Sequence, residues 1–108
     1  MPVYMTQFSY TAEAAAAMVK KPQDRGVGLK QAVEKLGGRL IAIYYCFGEY
    51  DGVAITEFPD QVTTLALTLA TIAPGHLKSL KTTVLLTMEE AVAAMRKANT
   101  VMYAGPDE

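Results

Sequence analysis

The chain of 108 residues has one cysteine, one histidine, almost no net charge and no long apolar run. Each shortage removes a class of protein. Cys46 alone forms no intrachain disulfide, which agrees with a reducing compartment, and together with His76 it is too little for a closed metal site within one subunit. A formal charge of −1 and a pI near 5.8 give no basic field for a phosphate backbone, and beyond Lys20 and Lys21 no cationic cluster stands out. Nucleic acid is not an expected partner. No apolar stretch reaches the ~20 residues that cross a bilayer, and the N-terminus lacks the layout of a signal peptide. The expectation is a cytoplasmic protein that needs no membrane, metal or cofactor.

Apolar side chains, by contrast, are plentiful. They make up 51% of the chain against 19% charged residues, and 108 residues suit one domain, residues 1–108, with one core. A domain this small hides only about two thirds of the surface its unfolded chain exposes, so an apolar excess points to burial between subunits. A homodimer or a higher homo-oligomer is therefore expected.

Along the chain, Val3 to Tyr10 reads as a strand. Thr11 caps a helix that Pro22 must break near Lys21, and the helix resumes after Asp24 until Gly37 and Gly38 end it. Residues 39 to 47 are almost unbroken apolar and predict a strand covered on both faces. A tight turn at Gly48-Glu49 should lead into a third strand from Tyr50 to Phe58. Asp60 then caps a helix whose stripe of Val62, Leu65, Ala66, Leu69, Ile72 and Ala73 predicts its buried face, and Pro74-Gly75 stops it. A fourth strand from Leu77 to Thr87 is followed by a short helix, opened by a Thr87/Glu90 capping box, that fades near Asn99.

The order strand, helix, strand, strand, helix, strand with a terminal helix is the split βαβ, ferredoxin-like arrangement of an α+β protein. In the central hairpin, Ile41, Ile43, Tyr45 and Phe47 should share one face with Gly52, Ala54, Thr56 and Phe58. Leu40, Ala42, Tyr44 and Cys46 should share the other with Val53, Ile55 and Glu57. Both faces are largely apolar and helices cover only one, so the second face calls for another copy of the chain.

The stretch Gly48-Glu49-Tyr50-Asp51-Gly52-Val53-Ala54-Ile55, with Glu57 and the Pro59-Asp60 helix start, resembles the GYD domain family of small bacterial and archaeal proteins. The likeness extends to the first strand with Thr11, to Leu36-Gly37-Gly38 and to the fourth strand up to Thr87. It implies a ferredoxin-like fold paired into a dimeric α/β barrel, and no particular reaction. The same hairpin is similar to that of the effector-binding domain of leucine-responsive regulators, whose DNA-binding helix-turn-helix has no counterpart in this chain.

Among residues able to carry chemistry, His76 sits in a Pro-Gly-His loop and could shuttle a proton or ligate haem, although a lone loop histidine is more often simply solvated. Cys46 lacks the cationic setting of a reactive thiolate and reads as a small buried hydrophobe. Zinc-like spacings, phosphate loops and serine elbows are missing. Five of the six tyrosines, Tyr4, Tyr10, Tyr44, Tyr45 and Tyr50, fall on strands or their ends, where hydroxyls between apolar walls suit a small organic ligand and where tyrosines also simply fit sheets. Asp51 either faces that ligand or stabilises the turn. The candidate pocket residues are Tyr4, Tyr44, Tyr50, Asp51 and His76. Three functions stay open: a small-molecule-binding module with its pocket inside or beside the barrel, a cofactor-independent monooxygenase or isomerase, and a structural assembly protein with a filled interior.

Overall fold

The structure, a computed structural model, describes residues 1–106. Its elements follow in the order β1 (Val3–Tyr10), α1 (Ala12–Lys20), α2 (Arg25–Lys35), β2 (Arg39–Tyr45), β3 (Gly52–Glu57), α3 (Gln61–Ile72), β4 (Leu77–Leu85) and α4 (Met88–Ala98). The four strands form one antiparallel sheet in the order β2-β3-β1-β4, which is the ferredoxin-like topology.

Local chemistry sets the helix starts. The hydroxyl of Thr11 accepts from the Ala14 amide, the carboxylate of Asp24 from Gly26, and that of Asp60 from Thr63. Thr87 and Glu90 exchange both bonds of a capping box. Pro22 divides the first helical stretch into α1 and α2, as a missing amide hydrogen requires.

Even-numbered residues of β1 and β3 point towards α2 and α3. At one end of this layer Tyr4, Val33 and Phe58 form the buried core, with Leu29, Leu36, Leu40 and Leu67 packed around it. Gly38 is part of that closure. A Cβ at this position would lie 2.6 Å from both the Glu57 carbonyl oxygen and the Phe58 ring, so a larger residue would push the two apart.

The hairpin departs from strict alternation. A bulge at Ile41 puts Leu40 opposite Thr56 on the helix-facing side, while Ile43 and Tyr45 stay on that side opposite Ala54 and Gly52. Leu40 thus joins the core instead of the face of Ala42 and Tyr44. The expected two-residue turn is also replaced: the last backbone bond of the hairpin runs from the Cys46 amide to the Asp51 carbonyl, leaving Phe47 to Tyr50 as a four-residue loop. Cys46, expected to be buried, is consequently exposed, and Phe47, expected on the face of Ile43 and Tyr45, is fully solvated.

α3 turns the other way round from its apolar stripe. Val62, Leu65, Leu69 and Ile72 are exposed, whereas Leu67, Thr68 and Thr71 face the sheet. Back-bonding permits this, because the hydroxyls of Thr64, Thr68 and Thr71 donate to helix carbonyls three or four residues earlier and enter the interior already satisfied. α4 stands away from the sheet with Met88, Val92 and Met95 exposed. The radius of gyration is accordingly 17.9 Å, against about 13 Å for a compact chain of this length.

Candidate functional site

The helix layer is pinned to the sheet at the Tyr4–Val33–Phe58 end and stands off it at the other. A partly enclosed cavity of about 320 Å³ lies between. Phe8, Leu29, Ala32, Ile43, Ala54 and Leu67 give it apolar walls. Its polar atoms come from Thr6, Thr56, Thr68 and Thr71 and, at the open end, from Tyr10, Arg25 and His76. Topology brings these last three together: Tyr10 ends β1, Arg25 begins α2, and His76 precedes β4, its carbonyl accepting from the Thr11 amide.

The floor of this end depends on two residues of the hairpin. Asp51 donates its amide to the Phe8 carbonyl at 2.8 Å, and its carboxylate accepts from the Tyr10 amide at 2.9 Å. It therefore fastens the hairpin to the last residues of β1, where the ladder would otherwise fray. Gly52 follows. A Cβ there would stand 2.4 Å from Cζ of Phe8, so only a residue without a side chain lets that ring lie flat across the sheet and form the cavity floor. Phe8 then meets Tyr10 edge to face at 5.6 Å.

Beyond Tyr10 a shallower groove runs between α1 and the hairpin, lined by Met18, Val19, Pro22, Tyr45 and Asp51. Tyr10 is the wall common to cavity and groove, and its hydroxyl lies 3.2 Å from that of Tyr45. Burial, and then the bond to Tyr45, raise the pKa of Tyr10 well above the ordinary phenol range. The guanidinium of Arg25 lies beside the same hydroxyl and donates to Oε1 of Gln23 at 3.1 Å.

Of the residues singled out from sequence, the structure brings His76 to the cavity and Asp51 to the groove. Tyr4 is buried in the core cluster, Tyr44 is exposed on the opposite face of the sheet across from Val53, and Tyr50 belongs to the hairpin loop, where its carbonyl accepts from the Cys46 thiol. Sequence reasoning missed Arg25 and the threonines of α3. A signal was present in Gly26 and Gly28, which weaken the first turns of α2; Gly28 lines the cavity, and a Cβ there would meet only open space. Among the described residues no three His, Cys, Asp or Glu side chains gather as metal ligands, and no helix is long and apolar enough to cross a membrane.

The GYD domain family model matches residues 4–95. No curated protein matches the chain. Among solved structures, MtbAldR superposes with a TM-score of 0.58 at 10% identity over 80% of this chain, which spans 53% of the MtbAldR chain. TTHA0845 from Thermus thermophilus superposes with a TM-score of 0.53 at 16% identity, covering 81% of this chain and 95% of that one. At such identities these likenesses speak to the fold alone.

Proposed function

The chain belongs to the GYD domain family, and from that premise we propose that it is a small-molecule-binding module whose ligand occupies the cavity between α2, α3 and the sheet. The observation that carries this reading is the cavity itself: about 320 Å³, mostly apolar walls with a few threonine hydroxyls, and Tyr10, Arg25 and His76 also in its lining. That is the composition of sites that hold small organic molecules, and the volume falls at the lower edge of the ~300 to 1,000 Å³ usual for them. Two features support it further. Gly52 and Asp51 hold the floor in place from outside the cavity, and the threonines of α3 offer hydroxyl oxygens while their protons are engaged within the helix. Placed here, the pocket lies beside the barrel that paired sheets would form, on the helix side of the sheet.

The working form in this proposal is a homo-oligomer. Its support is the apolar surface that the single chain leaves exposed: Val62, Leu65, Leu69 and Ile72 on α3, and Met88, Val92 and Met95 on α4.

The cavity reading is tested by nuclear magnetic resonance of the full chain against a library of small aromatic and branched aliphatic compounds. Binders should shift the amides of Ala32, Ala54 and Thr56 together. Ala32→Phe, which fills the cavity from α2, should abolish those shifts while the protein stays folded. Compounds that bind equally well to Ala32→Phe would place the site elsewhere and sink the proposal.

A further inference from the structure

Resting on the reading of the cavity as a ligand site, we propose that its open end recognises an acid group, so that the ligand is an organic anion: a carboxylate on an apolar body of one or two rings. The electrostatics of that end favour it. The ion pairs among the described residues, Lys30 with Glu34 and Arg39 with Glu57, lie elsewhere, and no described carboxylate comes within 4 Å of the Arg25 guanidinium. Arg25 is instead steadied by neutral neighbours, the Gln23 amide oxygen and the Tyr10 hydroxyl.

Of the acids nearest in the chain or the groove, the Asp24 carboxylate accepts from the Gly26 amide and that of Asp51 from the Tyr10 amide, and neither forms an ion pair with Arg25. A cation at the rim of an apolar cavity, without an anion of its own, is complementary to an incoming carboxylate, which a guanidinium grips with two parallel N–H donors. The Tyr10 hydroxyl, 3.2 Å from that of Tyr45 in the neighbouring groove, stands at the same rim as Arg25. The Tyr10 proton is held to higher pH than in an ordinary phenol, so it brings no charge that opposes an anion. His76 also lines this cavity. For size, a cavity of ~150 Å³ admits benzene, so the volume here suits a body of one or two rings.

The test compares matched acid and amide pairs by titration calorimetry on the full chain at pH 7: benzoate with benzamide, and 2-naphthoate with 2-naphthamide. At least one acid should bind tenfold or more tightly than its amide. Arg25→Gln should remove that preference by weakening the acid at least tenfold and the amide far less, and Arg25→Lys should restore part of it; all variants are checked for unchanged melting. Equal affinity for acid and amide, or a preference that survives Arg25→Gln, would overturn the anion assignment and leave the cavity site standing. If neither member of either pair binds, or if all bind Ala32→Phe as well, the cavity reading falls with it.

Discussion

Gly52→Ala isolates the steric reason for the glycine that closes the Tyr50-Asp51-Gly52 motif. The backbone at this position is ordinary β-strand, so alanine brings no conformational strain and would by itself gain a few tenths of a kcal/mol through the unfolded state. The new methyl, however, would sit 2.4 Å and 2.6 Å from two carbons of the Phe8 ring, about 1 Å inside ordinary contact. The ring is buried and packed edge to face on Tyr10, and the direction open to it is upward into the cavity. Overpacking of this kind costs about 1 to 3 kcal/mol. The melting temperature should therefore fall by roughly 5 to 15 °C for a domain of this size, measured at one protein concentration so that any self-association contributes equally. Phe8→Leu shortens the obstructing ring. Combined with Gly52→Ala it should cost at least about 1 kcal/mol less than the two single changes summed, since the variants relieve a shared contact. Strictly additive losses, or a Gly52→Ala protein that melts like the parent, would refute the account of why glycine stands here.

Asp51→Ala should lower stability by about 1 to 2 kcal/mol in chemical denaturation, because it frees the Tyr10 amide and loosens the end of β1, with Asp51→Asn recovering part of it. Phe58→Ala should cost about 3 to 5 kcal/mol by the same measurement, as the largest wholly buried side chain of the core. Phe47→Ser should change stability by less than ~0.5 kcal/mol, since its ring touches only solvent. Tyr10 keeps its proton to higher pH in the folded chain than when unfolded, so above about pH 10 the unfolded state binds fewer protons and stability falls as pH rises. Melting curves from pH 8 to 11 should show a shallower decline in Tyr10→Phe than in the parent.

The features legible in the sequence are those decided within a few residues. Thr11, Pro22, Asp24, Asp60 and the Thr87/Glu90 pair mark helix boundaries by hydrogen bonds that close inside one turn, and the order of strands and helices follows from them. Orientation was harder to read. The apolar stripe of α3 predicts an inward face because threonine is polar, yet a threonine whose proton is bonded to its own helix brings little unsatisfied polarity inside, and the helix packs through Leu67, Thr68 and Thr71. The Ile41 bulge shifts Leu40 to the core by one residue, which a period-two pattern does not reveal. For the site, tyrosines were weighed by their place on strands. What decides their role is the end of the sheet they occupy: Tyr4 lies where the helices are pinned, Tyr10 where they stand off.

That division explains how one small sandwich combines a folded core with an interior cavity. The contacts closing the Tyr4–Val33–Phe58 end are apolar and tight, down to Gly38 making way for the Phe58 ring, so the two helices are anchored without help from the far end. The far end can then be built from residues that pack poorly. Gly28, Ala32 and Ala54 are too small to fill the space, and the threonines of α3 leave room that leucines would fill. On the proposed reading, a ligand that enters would supply the missing contacts and stabilise only the folded chain, by ~2.7 kcal/mol at a hundred times its dissociation constant. On that reading Gly28, Ala32 and Ala54, too small to fill the cavity, are the residues that would make the melting temperature respond to a ligand.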